Sequence, residues 1–161
     1  MAEVIIVPDA RDAGELVAEA IADLVAGRPD AVLGLATGST PLPVYQALRA
    51  RMSGTDLSRV RGFALDEYVG LDRDHPESYR SVISREVVAP LGLDPDRVHV
   101  PDGSLSGIEH AGADYEAAID AAGGVDLQLL GIGTDGHIGF NEPGSSFASL
   151  TRVKTLTEQT R

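Results

Sequence analysis

Short apolar runs alternate with amphipathic stretches along the chain. Val4–Val7 and Ala31–Ala36 are apolar runs of strand length. Between them, apolar side chains recur at the spacing that places them on one face of a helix, at Leu16, Ala20, Ile21, Leu24 and Val25. This pattern predicts a strand, then a helix, then a second strand.

The same alternation continues through the rest of the sequence. Pro41 suits the first turn of a helix that carries Val44, Tyr45 and Leu48. Further strands are predicted at Val60–Leu65, Arg97–Val100 and Val125–Leu130, and further helices at Ser78–Ala89 and Ile108–Ala122. Alternating strands and helices favour right-handed crossovers and a mostly parallel sheet. We therefore expect an α/β fold, Rossmann-like, with three layers in the order α/β/α.

The length of 161 residues fits one domain, which we predict to span residues 1–161. No apolar run approaches the roughly 20 residues that span a bilayer, and no signal-peptide pattern follows Met1. The sequence therefore predicts a cytoplasmic protein without a membrane partner.

Charge and cysteine content narrow the chemistry. The net charge is −12 and Lys154 is the only lysine, which argues against binding to nucleic-acid phosphates. A small anionic ligand stays possible, because backbone N–H groups at a helix start can hold a phosphate. The chain has no cysteine, so catalysis has to use oxygen and nitrogen groups.

The first candidate loop is Thr37–Gly38–Ser39–Thr40, which lies between a predicted strand and the helix opened by Pro41. Its hydroxyl and N–H groups could surround a phosphate oxygen, and Gly38 would let the backbone approach closely. A plain turn with a Ser or Thr helix cap explains the same residue types. The loop lacks the lysine of a P-loop.

A second candidate follows the strand Val60–Leu65, where the sequence reads Asp66, Glu67 and Tyr68. Side chains alternate across a strand, so Asp66 and Glu67 should point in different directions. A carboxylate shielded from water at a strand end has a raised pKa and can take a proton from carbon. The alternative is a polar strand terminus in water.

The third candidate is the glycine-rich segment GIGTDGHIGFNEP, Gly131–Pro143. Asp135, His137 and Glu142 could meet in a folded loop, where carboxylates would orient a histidine that transfers protons near neutral pH. A metal site and a purely structural glycine turn are the alternatives. The remaining histidines are weaker candidates: His75, His99 and His110.

Taken together, the three loops resemble those of the glucosamine-6-phosphate deaminase family. The matching segments are LGLATGSTPLPVYQAL, FALDEYVGLDRDHPESY and LLGIGTDGHIGFNEPGSSFASLTRVKTLT. Their order, spacing and flanking residues all agree, over nearly the whole chain. The resemblance implies conversion of glucosamine 6-phosphate to fructose 6-phosphate and ammonia, with no cofactor and no metal.

The resemblance also implies roles for individual residues. Asp66 would move a proton between C2 and C1 through an enolamine, and His137 would open the sugar ring with help from Asp135 and Glu142. The loop with Gly38, Ser39 and Thr40 would receive the 6-phosphate. Some family members are hexamers activated by N-acetylglucosamine 6-phosphate, and the effector segment of those members resembles Ser145, Arg152, Lys154 and Thr155 here. Regulation and a homo-oligomeric state are left open.

Chains of this family continue beyond the position of Arg161, where the resemblance places more strands, a lid and basic residues that clamp the phosphate. The chain is therefore expected to lack the C-terminal part of the family fold. Two other functions stay open at this stage: a 6-phosphogluconolactonase, which has a related fold and DGH loop, and a catalytically silent sugar-phosphate-binding fragment.

Overall fold

A computed structural model describes residues 3–157 of the chain. Within this part, four parallel strands form one sheet in the order β3-β2-β1-β4. The strands are β1 (Val32–Leu35), β2 (Arg61–Ala64), β3 (Val98–His99) and β4 (Leu127–Gln128). β1 pairs with β2 and with β4, so β1, whose four residues are all buried, lies inside the sheet. The predicted parallel α/β fold is confirmed.

Five α-helices connect or flank these strands: α1 (Ala10–Gly27), α2 (Leu42–Arg51), α3 (Tyr79–Ile83), α4 (Ala89–Leu91) and α5 (Ile108–Ala122). A π-helical turn, Ser84–Val88, joins α3 to α4 without a break, so the predicted helix 78–89 is present with one wide turn inside it. A 3₁₀ turn, Pro95–Arg97, precedes β3. None of the helices in residues 3–157 is long and apolar enough to cross a membrane.

The helices cover both faces of the sheet, which gives the three layers. On one face, α1 and α2 pack together over β1 through buried residues such as Ile21, Val25 and Leu48. On the other face, Tyr115 of α5 packs against Val32 and Phe63. Full burial of one large aliphatic side chain stabilises a fold by roughly 1.5–3 kcal/mol. This alternation of faces along β1 and β2 fixes which strand residues point to which layer.

One predicted strand is wrong. Val4–Val7 pairs with no described strand, and Val4 and Ile6 are 84% and 92% exposed. A β-branched run becomes a strand only when a neighbour supplies hydrogen bonds and an apolar face, which residues 3–157 do not provide there. The other four predicted strands are present, each shorter than the apolar run that indicated it.

All three candidate loops follow the carboxyl ends of strands. The segment Thr37–Thr40 follows β1, Asp66 follows β2, and Gly131–Pro143 follows β4. In a parallel sheet, these ends lie at one edge. Because β1 lies between β2 and β4, the topology brings the three segments to the same edge of the molecule.

Candidate active site

Asp66 is the shielded carboxyl group of this edge. It follows the buried β2 strand, and burial raises the pKa of Asp66 from 3.8 to about 6. A hydrogen bond from the Phe140 backbone N–H opposes that rise, while the neighbouring charge of Glu67 adds to it. A carboxyl group with this pKa is mostly ionised at neutral pH and takes up protons more readily than an exposed carboxylate.

The Gly131–Pro143 loop reaches Asp66 through a tight two-residue turn. Ile138 and Asn141 exchange backbone hydrogen bonds of 3.0 Å in both directions, and Gly139 begins the turn with φ +56. A Cβ atom at Gly139 would lie 2.7 Å from Asp66 Oδ2 and 2.5 Å from Leu65 Cδ2. Glycine is therefore required at position 139 for two reasons: the backbone is left-handed there, and a Cβ atom would collide with Asp66 and Leu65.

His137 and Asp135 form a pair in the same loop. His137 Nδ1 lies 2.6 Å from Asp135 Oδ1, and the same oxygen accepts from the His137 backbone N–H at 3.1 Å. That backbone hydrogen bond is the main cause that holds the pKa of Asp135 below its usual range. The imidazole ring lies against Gly133, where an added Cβ would come within 2.2 Å of it. A carboxylate at Nδ1 fixes the orientation of the imidazole ring.

Glu142 contacts the segment that follows Pro143. Its Oε1 accepts from the Thr157 hydroxyl at 3.1 Å and from the Thr157 backbone N–H at 3.4 Å. Next to it, Asn141 Oδ1 accepts from Arg152 Nη2 at 3.0 Å. These contacts fold the segment after Pro143 back onto the candidate loop.

The backbone of the Thr37–Thr40 loop is accessible at Gly38. Gly38 has φ +91 with no atom near the position of a Cβ, and α2 begins without a side-chain cap. The Tyr45 hydroxyl holds the end of β1, because it donates to Ala36 O at 2.8 Å and accepts from Ala36 N–H at 3.1 Å. At the start of α2, the Leu42 N–H donates to Ser39 O at 3.3 Å and the Val44 N–H donates to Pro41 O at 3.0 Å. The backbone N–H groups that a ligand could use are therefore those of the preceding loop, at Gly38, Ser39 and Thr40.

An aromatic cluster of Tyr68, Tyr79 and Phe140 lies between the three loops. Its ring centroids are 4.9 to 5.5 Å apart. The Tyr79 hydroxyl contacts the Thr37 side chain, and burial is the main cause that raises the pKa of Tyr79 above its usual range. Phe140 belongs to the third loop and Tyr68 to the second, so the cluster joins all three.

Glu67 has hydrogen-bond partners that differ from the partner of Asp66. Its Oε1 accepts from the backbone N–H of Tyr68 at 2.8 Å and of Tyr79 at 2.9 Å, and its Oε2 accepts from the Arg80 N–H at 2.9 Å. Sequence reasoning treated Glu67 only as a neighbour of Asp66. The hydrogen bond between Glu67 and Tyr79 joins residues twelve positions apart, and no hydrophobic periodicity in the sequence indicates it.

A cavity of about 1110 Å³ opens beside Asp66, between α5 and the segment after Pro143. The four residues of the expected effector segment all line it: Ser145, Arg152, Lys154 and Thr155. Asp66 and Glu142 also line it, whereas Thr37–Thr40 and the Asp135–His137 pair lie outside it. Within residues 3–157, no three His, Asp or Glu side chains are grouped so that they could hold a metal ion.

The fold and this edge define a parallel α/β protein with a shielded carboxyl group after β2 and a carboxylate–histidine pair after β4, at the same edge of the sheet. The family model of glucosamine-6-phosphate isomerases/6-phosphogluconolactonase matches residues 9–146. The chain belongs to this family.

Individual relatives agree with the family assignment. The chain is 63% identical to a glucosamine-6-phosphate deaminase of Streptomyces avermitilis, over 99% of this chain and 62% of that protein. The solved structure of a monomeric glucosamine-6-phosphate deaminase superposes with a TM-score of 0.92 at 40% identity, over 99% of this chain and 67% of that one. The solved structure of 6-phosphogluconolactonase from Thermotoga maritima superposes with a TM-score of 0.70 at 29% identity, over 83% of this chain and 61% of that one. The chain thus spans about 62% of the length of the curated relative it matches.

Proposed function

We propose that the protein acts as a glucosamine-6-phosphate deaminase, which converts glucosamine 6-phosphate and water to fructose 6-phosphate and ammonia. The observation that carries this proposal is Asp66, a shielded carboxyl group with a pKa of about 6 in contact with the loop that holds His137. The higher identity to deaminases than to the lactonase supports the same choice.

In the proposed reaction, ring opening comes first and uses the Asp135–His137 pair. His137 takes the proton of the C1 hydroxyl and returns a proton to the ring oxygen, while Asp135 fixes the imidazole and stabilises its charge. Glu142 assists in this proposal by holding the segment around Thr157 against the loop.

Carbon-proton transfer follows in the open chain. The ionised Asp66 removes the proton from C2, the C2–H electron pair forms the C1–C2 double bond, and the C1 carbonyl π pair moves to O1, which takes a proton from the C2 ammonium group to give an enolamine. Asp66 then returns its proton to C1 as the nitrogen lone pair forms the C2=N bond of a protonated imine. The product imine at C2 reacts with water to give the ketose and ammonia. A base with a pKa near 6 suits this step, because it is ionised at neutral pH and still binds a proton in the intermediate.

Phosphate recognition is proposed for Thr37, Gly38, Ser39 and Thr40, in the loop between β1 and α2, where Gly38 leaves the backbone accessible. The acidic chain makes such a backbone site the suitable place for an anion, since backbone N–H groups need no basic side chain. No residue of this proposal calls for a metal or an organic cofactor. An ionised sugar phosphate does not cross a bilayer unaided, so the proposal includes a cytoplasmic location.

Regulation is a separate part of the proposal. The cavity lined by Ser145, Arg152, Lys154 and Thr155 is large enough for a sugar phosphate, and Arg152 and Lys154 supply positive charge. A homo-oligomer would be the setting for such regulation, although one similar protein is monomeric.

Two assays run side by side test the function. We expect ammonia release from glucosamine 6-phosphate and no comparable hydrolysis of 6-phosphogluconolactone, and lactone hydrolysis without ammonia would replace the deaminase with a lactonase. Asp66→Asn should abolish the ammonia release, because an amide cannot take the C2 proton. Absence of turnover in the wild-type chain would support a silent binding fragment.

A matched variant separates ring opening from carbon chemistry. His137→Gln should slow the reaction of the closed ring more than that of an open-chain substrate, by roughly 10²-fold or more. Equal losses on both substrates would remove His137 from the ring-opening step.

A further inference from the structure

We propose that Glu67 is a positioning residue for Asp66, and that it sets the direction in which Asp66 leaves β2 by anchoring the next residues of the chain to the start of α3. This inference rests on the proposed function of Asp66 as the base. Glu67 itself touches no reacting atom in the proposal.

The anchor consists of three backbone hydrogen bonds to one carboxylate, all between 2.8 and 2.9 Å. One comes from Tyr68, the residue that follows Glu67, and two come from Tyr79 and Arg80 at the start of α3. Backbone N–H bonds to a carboxylate are stronger than neutral hydrogen bonds. Glu67 therefore closes the loop 68–78 onto its own beginning.

The closure also fixes the aromatic cluster beside Asp66. Because Glu67 holds the backbone of both Tyr68 and Tyr79, it sets the distance between their rings, whose centroids are 5.0 Å apart. Both rings contact Phe140, and the Phe140 N–H is the group that donates to Asp66. Glu67 thus affects the position of Asp66 in two ways. It holds the backbone next to Asp66, and it holds the two tyrosine rings that pack on Phe140, the residue whose N–H donates to Asp66.

The effect of the Glu67 charge on Asp66 can be separated from the effects of the other groups that face Asp66. Tyr79 of α3 and Tyr115 of α5 also face Asp66, and burial raises the pKa of both tyrosines, so their hydroxyls stay neutral near pH 7. The Phe140 N–H contributes a dipole. Glu67 is therefore the group among these that acts on Asp66 with a full charge, and it raises the pKa of Asp66.

Two substitutions separate anchoring from charge. Glu67→Ala removes all three hydrogen bonds and the charge. Glu67→Gln removes the charge, and its Oε1 still accepts from Tyr68 and Tyr79. Glu77→Gln is the matched control, because Glu77 is an exposed carboxylate just before α3.

The first measurement is the titration of the Asp66 carboxyl carbon by NMR in the full chain, with tyrosine ring signals recorded beside it. We expect Glu67→Gln to lower the pKa of Asp66 below about 6, and Glu77→Gln to leave it in place. Glu67→Ala should in addition shift the Tyr68 and Tyr79 ring signals. A folded Glu67→Ala variant with wild-type Tyr68 and Tyr79 ring signals and a wild-type Asp66 titration would overturn the proposal. If Glu67→Ala does not fold, Glu67→Asp, which keeps the charge but shortens the side chain by one methylene, is judged by the same signals.

The second measurement is ammonia release. Glu67→Ala should lower kcat roughly 10²-fold with little change in KM, because a misplaced base affects the chemical step more than binding. Glu67→Gln should lower kcat less than Glu67→Ala does, since two of the three anchoring hydrogen bonds remain. If the wild-type chain releases no ammonia, the proposed function fails while the Asp66 titration still decides the role of Glu67.

Discussion

Replacing Asp66 by asparagine should make the protein more stable above pH 6 while removing its activity. The folded state raises the pKa of this carboxyl from 3.8 to about 6, so its ionised form is less favourable in the folded chain than in the unfolded one. At about 1.4 kcal/mol per pKa unit, the ionised carboxylate costs the fold up to about 3 kcal/mol. Asparagine is uncharged, and its Oδ1 can still accept from the Phe140 N–H.

The stability gained by Asp66→Asn should depend on pH. Below pH 3.8 both states are protonated and the penalty is absent; between 3.8 and about 6 it grows, and above 6 it is fully present. Urea unfolding of wild type and Asp66→Asn, followed by circular dichroism across this range, should show a stability difference that widens as pH rises.

Asp135→Asn is the control for that experiment. Hydrogen bonding from the His137 backbone N–H lowers the pKa of Asp135, so its ionised form is favoured in the folded chain and its removal should bring no gain in stability. A difference between wild type and Asp66→Asn that stays constant with pH would refute the assignment of a raised pKa to Asp66.

Gly139→Ala should cost more than Gly54→Ala, because both positions have positive φ but only a Cβ at Gly139 meets Asp66 Oδ2, at 2.7 Å. The shared backbone penalty is about 1–2 kcal/mol, and the extra loss in Gly139→Ala should appear in urea unfolding and in the Asp66 titration; equal effects of the two variants would contradict the contact. Tyr45→Phe should lower the free energy of unfolding by about 1–3 kcal/mol, because it leaves the buried backbone groups of Ala36 without a partner. Thermal unfolding measures this loss, and an unchanged midpoint would show that the strand end needs no anchor.

Much of the fold could be predicted from the sequence. Helix Ile108–Ala122 has the predicted bounds, since its apolar spacing is regular and Gly123 ends it with φ +91. The strand pattern was sufficient at β1 and β2, where burial on both faces produces continuous apolar runs. At Val4–Val7 the same pattern was misleading, because pairing depends on a neighbouring strand and not on the run itself.

The candidate site was predictable as a set of loops but not as a set of contacts. The sequence alone determined that Asp66, His137 and the Thr37–Thr40 loop follow strands of a parallel sheet, because hydrophobic periodicity is local and records strand ends directly. Only the tertiary structure decided that Gly139 lies against Asp66 and that Glu67 anchors α3. Those relations depend on burial and on hydrogen bonds between distant segments, and both exist only once the chain has packed.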